Sequence, residues 1–238
     1  MVNDLEGRIK KFNNSPDRVK FEILVSISEQ KKSKENIEFL LKVIEVEKYE
    51  KIRIKAILTL KEFEDKKIVQ KLSEFFSFER DNSVRLALIE VLGSASSEEI
   101  EEVLINATKK DSNDIIRSMA IKHLHERAKI DQKEMKNLLL DVIQNDRAIF
   151  PKQIALSVIS SYAKQEELDK LKLIFEREEK FKMKQLLHQT MMNIASNLQT
   201  ELDVEEPIEE KEEETEKKKR RKRRKKVKKK KDEEYLYF

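Results

Sequence analysis

Apolar side chains recur along most of this chain at fixed offsets from a basic residue. Taking the basic residue as position zero, they fall at −1, +3, +4 and +7, which places them on one face of a helix with 3.6 residues per turn. Around Arg85 these are Val84, Leu88, Ile89 and Leu92, and around Arg53 they are Ile52, Ala56, Ile57 and Leu60. A second apolar stripe precedes each: Ile37, Leu40, Leu41 and Ile44, then Ile68, Leu72, Phe75 and Phe76, then Ile100, Val103, Leu104 and Ala107. Two more follow, Met135 to Ile143 and Leu168 to Phe175. The pattern predicts helices near 3–12, 16–30, 34–46, 49–63, 66–78, 82–93, 97–109, 113–127, 131–144, 150–163, 165–177 and 179–198. Most are three to four turns long, the last is longer, and each is joined to the next by a short polar connection.

The basic residues are Lys20, Arg53, Arg85, Arg117, Lys152 and Lys184, at gaps of 33, 32, 32, 35 and 32. Thirteen residues before each of the last five is a leucine: Leu40, Leu72, Leu104, Leu139 and Leu171. Self-similarity at this period marks a stacked helical repeat, in which no helix pair buries its apolar face alone. The units run about 3–30, 34–63, 66–93, 97–127, 131–163 and 165–198. The 35-residue gap coincides with Asn145–Phe150, so a turn takes the extra residues. Ser96 with Glu99, and Asp131 with Glu134, have capping-box spacing. Pro16 and Pro151 suit a helix's first turn, and Gly93 suits a helix end.

The string Asp81-Asn-Ser-Val84-Arg85-Leu-Ala-Leu88-Ile-Glu-Val91-Leu92-Gly93 resembles the signature of HEAT repeats. Asp114-Ile-Ile116-Arg117-Ser-Met-Ala120 with Leu124 is similar to it, as is Ile52-Arg53-Ile-Lys-Ala56 with Leu60. The last two units depart, with Lys for Arg and with Pro151 and Met183 for Val. The resemblance implies an all-α, right-handed α-solenoid of about six HEAT-like helix pairs over residues 1–198. It also implies that the basic column stitches adjacent units by bonding to turn acids, for which Asp17, Glu50, Asp81 and Asp114 are the candidates. The competing reading of the same column is a phosphate-binding ladder.

Composition narrows the chemistry. Two glycines and three prolines are too few for a hairpin-rich sheet protein, while 41% charged residues with abundant Leu and Ile suit long helices. With no cysteine there are no disulfides, thiolate metal sites or cysteine nucleophiles. No apolar run reaches the length of a membrane span, and the start MVNDLEGRIKK lacks a signal-peptide core, so a cytoplasmic protein is expected, or a nuclear one in a eukaryote. His188 and His123 read as packing residues, and His125, two residues from His123, makes a poor metal pair with it. No Gly-rich loop, metal cluster or nucleophile–base pair is visible, so the expectation is a non-enzyme with no cofactor and no metal. HEAT-like DNA glycosylases share this architecture and, as a family, rely on tryptophans together with an acid. This chain has no tryptophan.

The tail is electrically polarised. Residues 199–216 form an acidic linker, with ten carboxylates against Lys211 within 201–216. The segment 217–231 then holds fourteen cations: Lys217, Lys218, Lys219, Arg220, Arg221, Lys222, Arg223, Arg224, Lys225, Lys226, Lys228, Lys229, Lys230 and Lys231. Like-charge repulsion predicts disorder in the free chain, and the charge predicts contact with a polyanion through phosphate rather than bases. A solubilising tail, or one screened by its own acidic neighbour, is the plainer alternative. The last residues, 232–238, end in Tyr235, Leu236, Tyr237 and Phe238, which read as a linear docking motif. The expectation is a monomeric scaffold that binds an unidentified protein on its solenoid surface while the tail contacts RNA, DNA or ribosome. The second expectation is a solenoid that grips nucleic acid in its groove.

Overall fold

The computed structural model describes residues 5–29, 33–63, 65–97, 99–127 and 129–207, and every regular element among them is an α-helix. In chain order these are α1 (Leu5–Asn13), α2 (Asp17–Glu29), α3 (Lys34–Val46), α4 (Glu50–Leu60), α5 (Lys66–Phe78) and α6 (Asn82–Ser94). Then follow α7 (Ile100–Lys110), α8 (Asp114–Arg127), α9 (Gln132–Asn145), α10 (Ile149–Ile159), α11 (Gln165–Arg177) and α12 (Phe181–Leu198). No described helix is long and apolar enough to cross a membrane.

Side-chain caps start several of these helices. Ser33 accepts from Asn36 N at 3.2 Å, Asp65 from Lys67 N at 2.7 Å, and Asp81 from Ser83 N and Val84 N at 2.9 and 3.0 Å. Asp131 caps α9, taking Lys133 N at 2.9 Å and Glu134 N at 3.1 Å. Such caps satisfy donors that a helix start leaves free. Ser96 does not cap: α7 begins at Ile100, and its N-cap Glu99 makes no side-chain cap bond. The carbonyls of Ser96 and Ser97 are turned instead toward α8, where they accept from Lys129 and Arg127. Helix α4 stops at Leu60 because the chain tightens into an i−3 turn, with Phe63 N bonded to Leu60 O at 2.9 Å.

The chain divides into two compact units between Val158 and Ile159. In the first, the even helices α2, α4, α6 and α8 pack in series, and the odd helices α1, α3, α5 and α7 form a parallel row. Each pair α3–α4, α5–α6 and α7–α8 closes as a hairpin between the rows. The repeating columns form the core. Leu40, Leu72, Leu104 and Leu139 are fully buried, as are Leu60, Leu92 and Leu124 at position +7. In the first repeat the pattern loosens: Val19 at position −1 is 38% exposed, because no helix pair lies on that side of α2 among the described residues. The second unit holds α11 and α12 as a packed pair with Leu168, Leu171, Leu187 and Met191 buried. Helix α12 ends on Gln199 in the left-handed region (φ 56°), and Thr200 N bonds back to Ala195 O at 3.0 Å. Beyond it Leu202 and Val204 are half-buried between exposed acids, and the His188 ring nitrogen lies 3.3 Å from Val204 O.

Candidate functional site

The basic column is bonded in a regular way. Lys20 Nζ donates to Glu47 at 2.7 Å, Arg53 to Glu79, Arg85 to Asp111, and Arg117 to both oxygens of Asp146 at 2.7 Å each. Each cation lies on an even helix, and each carboxylate follows the end of the next odd helix, so every bond joins one repeat to its successor. Each carboxylate also holds its own turn. Glu47 accepts from Lys48 N and Tyr49 N, Glu79 from Arg80 N and Asp81 N, Asp111 from Asn113 N, and Asp146 from Ala148 N. The backbone carbonyl of the same acid then takes the next arginine: Arg85 Nη1 lies 3.1 Å from Glu79 O, and Arg117 Nη1 lies 2.9 Å from Asp111 O. Each middle acid is thus a two-sided joint, its side chain serving the previous repeat and its carbonyl the next.

The acids that hold the column are therefore not Asp17, Glu50, Asp81 and Asp114. Asp81 is occupied in capping α6, and Asp114 Oδ1 takes the N–H of Ile115. The true partners carry a sequence signature. An acid stands six residues before each of the last five basic positions: Glu47, Glu79, Asp111, Asp146 and Glu178. Aromatic faces add to the column, with Lys20 Nζ 5.7 Å from the Phe12 centroid, Arg85 4.8 Å from Phe76 and Lys184 5.2 Å from Phe175. Lys152 Nζ donates to Gln144 O at 3.2 Å.

Residues 77–160 match the family model for HEAT repeats. The helix pairs within that stretch are HEAT-like repeats. No curated protein matches the chain.

Charge pairing inside the helical stack sets its response to acid. Burial alone would raise the carboxyl of Glu47, but the bond from Lys20 and those from Tyr49 N and Lys48 N outweigh it and hold it below its ordinary value. Asp146 is likewise held low, burial being outweighed by the Arg117 bond and the N–H of Ala148. Arg117 is pushed above its ordinary value by its bond to Asp146. Because both folded carboxyls titrate below their unfolded values, their stabilisation is complete above about pH 4–5 and is lost as pH falls through the lower folded values. Urea midpoints measured from pH 7 down to pH 3 should show this loss. The variant Asp146→Asn should start lower at pH 7 and fall less steeply, and an unchanged slope would contradict the assignment.

Gly93 does not end a helix by adopting a left-handed conformation. It lies within α6, and a Cβ there would overlap the near end of the His123 ring of α8. His123 is buried, with Nε2 3.4 Å from Glu90 and Nδ1 3.5 Å from Glu126. The helix-to-helix approach is also sealed by Arg127, whose guanidinium donates to the carbonyls of Gly93, Ala95 and Ser97. Gly93→Ala should cost about 1–3 kcal/mol through overpacking, despite a gain of roughly 1 kcal/mol in helix propensity. Adding His123→Ala should recover part of that loss in a denaturant titration, whereas additive losses would show that the ring is not the obstacle. His188 is half-buried, its ring 6.3 Å from that of Phe175. Among the described residues no group of three His, Cys, Asp or Glu side chains is placed to hold a metal.

Two surfaces of the first unit remain. On the even helices, positions +1 and +5 point away from the core, yet they carry Phe21, Ile54 and Leu86, and Val25 and Leu58. Phe21, Val25 and Leu58 are 36%, 39% and 41% exposed, and Ile54 and Leu86 are half-buried. The +5 column turns polar at Glu90 in the third repeat and the +1 column at Ser118 in the fourth. The second surface is the edge formed by the odd-to-even turns, where Tyr49 is 57% exposed, Phe78 84% and Phe150 41%. The sequence signal of the first surface is an apolar residue at a water-facing position of the repeat, whereas Tyr49, Phe78 and Phe150 share no single position. Between α7 and α9 lies a groove of about 350 Å³ floored by Ile105 and Leu138 and rimmed by charges of both signs. The polybasic residues Lys217 to Lys231 and the terminal Tyr235, Leu236, Tyr237 and Phe238 lie outside the described residues.

Proposed function

We propose that this protein is a non-catalytic scaffold that binds a protein partner on its even-helix face and touches a polyanion with the basic segment 217–231. The observation that carries the first part is the stripe Phe21, Val25, Ile54, Leu58 and Leu86, lying side by side on α2, α4 and α6, which pack in series. The interior is already filled by other columns, and Phe21, Val25 and Leu58 remain exposed beside it. An exposed contiguous apolar stripe is the composition of a protein-binding face. HEAT repeats characteristically present such extended surfaces to partners. The groove reading of the basic column has less support, since Lys20, Arg53, Arg85 and Arg117 are each committed to a carboxylate.

The double variant Phe21→Glu with Leu58→Glu tests the protein-binding face. Quantitative affinity capture from the native cell should lose the partners that the parent retains, while the melting curve stays close to the parent's. Unchanged capture would sink the reading. For the tail, the logarithm of nucleic-acid affinity should fall linearly with the logarithm of salt, and replacing the fourteen cations by Ser and Gly should flatten that slope. Equal slopes for parent and replacement would remove the tail from the function.

A further inference from the structure

The odd-to-even turns of the first unit form one edge, because the odd and even helices each pack in a row and every hairpin turns in the same sense. The bonds of the basic column run from turn to turn along this edge, and Arg147 of one turn donates to Ser112 O of the preceding one at 2.8 Å. Side chains that project from successive turns are thus neighbours at about the 8–10 Å spacing of packed helices.

Each turn carries exposed cations, and three of the four carry an exposed aromatic. The turn after α3 has Tyr49 with Lys48 and Lys51, and the turn after α5 has Phe78 at its start with Arg80. The turn after α7 has Lys109 and Lys110, and the turn after α9 has Arg147 with Phe150. Most acids of these turns are spent elsewhere: Glu47, Glu79, Asp111 and Asp146 are bonded to the column, and Asp81 caps α6, while Glu50 stands beside Lys51. Phe78 at 84% exposure has no packing role. A flat π-face next to an exposed cation, present in three of the four turns, matches a ligand that repeats a flat π-system next to an anion. Single-stranded nucleic acid is that polymer: bases stack on aromatic side chains while phosphates meet Lys and Arg. An acidic peptide supplies the charge without a regularly repeated ring, and duplex nucleic acid hides its base faces.

We propose that the turn edge of the first unit binds single-stranded nucleic acid, with Tyr49, Phe78 and Phe150 as stacking platforms and Lys48, Lys51, Arg80 and Arg147 as phosphate contacts. The edge reaches past the polyanion reading of the tail, because it engages bases, which the aromatic-free block 217–231 cannot do.

The test uses the full-length chain carrying the Ser/Gly replacement of the fourteen tail cations, so that the tail's phosphate affinity is removed. Binding of a fluorescein-labelled 20-nucleotide oligo-uridylate or oligo-thymidylate is followed by anisotropy at low salt. This chain should still bind, and adding Tyr49→Ala and Phe78→Ala should weaken it about tenfold per aromatic, with helical content and melting unchanged because both rings are exposed. A 20-base-pair duplex and polyglutamate should compete poorly. The edge proposal is overturned if the double variant binds like its parent, or if duplex or polyglutamate competes as well as the single strand. If all binding disappears with the tail cations, the edge fails and the polyanion reading of the tail stands. If the unmodified chain binds no nucleic acid at low salt, both fail.

Discussion

Replacing Arg117 with alanine should lower the unfolding free energy of the full chain by about 3–5 kcal/mol, the cost of removing one partner from a buried ion pair. Arg117 is 4% exposed and makes two charge-assisted bonds to Asp146, a carboxylate whose side chain is 6% exposed. It also satisfies the carbonyls of Asp111 and Ser112 at 2.9 and 3.3 Å. Alanine would leave Asp146 charged and buried, and it would orphan the carbonyl ends of the α7 turn. The loss should appear as a shift of the urea midpoint at pH 7. Arg117→Lys keeps the charge but not the planar fork, so its loss should be intermediate. A change below about 1 kcal/mol for alanine would mean that the pair is solvated and contributes little.

Leu88→Ala should cost about 2–5 kcal/mol, as for large-to-small changes in close-packed cores. Leu88 is fully buried at position +3 of α6, the helix that packs on α4, α5, α7 and α8. With neighbours on all sides the site cannot collapse around the missing atoms, so a cavity remains. The same change at Ile23, position +3 of α2, should cost less, because Ile23 is only half-buried. Chemical denaturation of both variants gives the comparison, and equal losses would contradict a core that tapers at the first repeat.

Much of this architecture is written in the period. Helices α3, α5 and α11 follow the expected ranges residue for residue, because their apolar stripes are continuous and their starts are marked by polar residues. The misreadings have local causes. The turn before α7 looks like a capping box, but Arg127 at the end of α8 and Lys129 just beyond it capture its carbonyls. Such contacts lie 30–33 residues away in sequence, and no sequence column announces them. Gly93 carries the residue type of a helix end but answers to a neighbour's ring. The acid partners of the basic column are not the turn acids nearest to it in sequence. The acids six residues earlier form the better column, and only their bonds across repeats reveal what that column is for. The candidate surface on the even helices follows the same logic: a strict repeat defines which positions face water, so an apolar residue at such a position stands out.

The claim on which the rest depends is that the basic column binds each repeat to the next one. The most direct measurement is a double-mutant cycle of Arg117→Ala and Asp146→Ala in the full chain, read from urea unfolding at pH 7. The structure predicts non-additivity of about 1–3 kcal/mol between these two residues, 29 positions apart and in successive repeats. Losses that add within about 0.5 kcal/mol would contradict it.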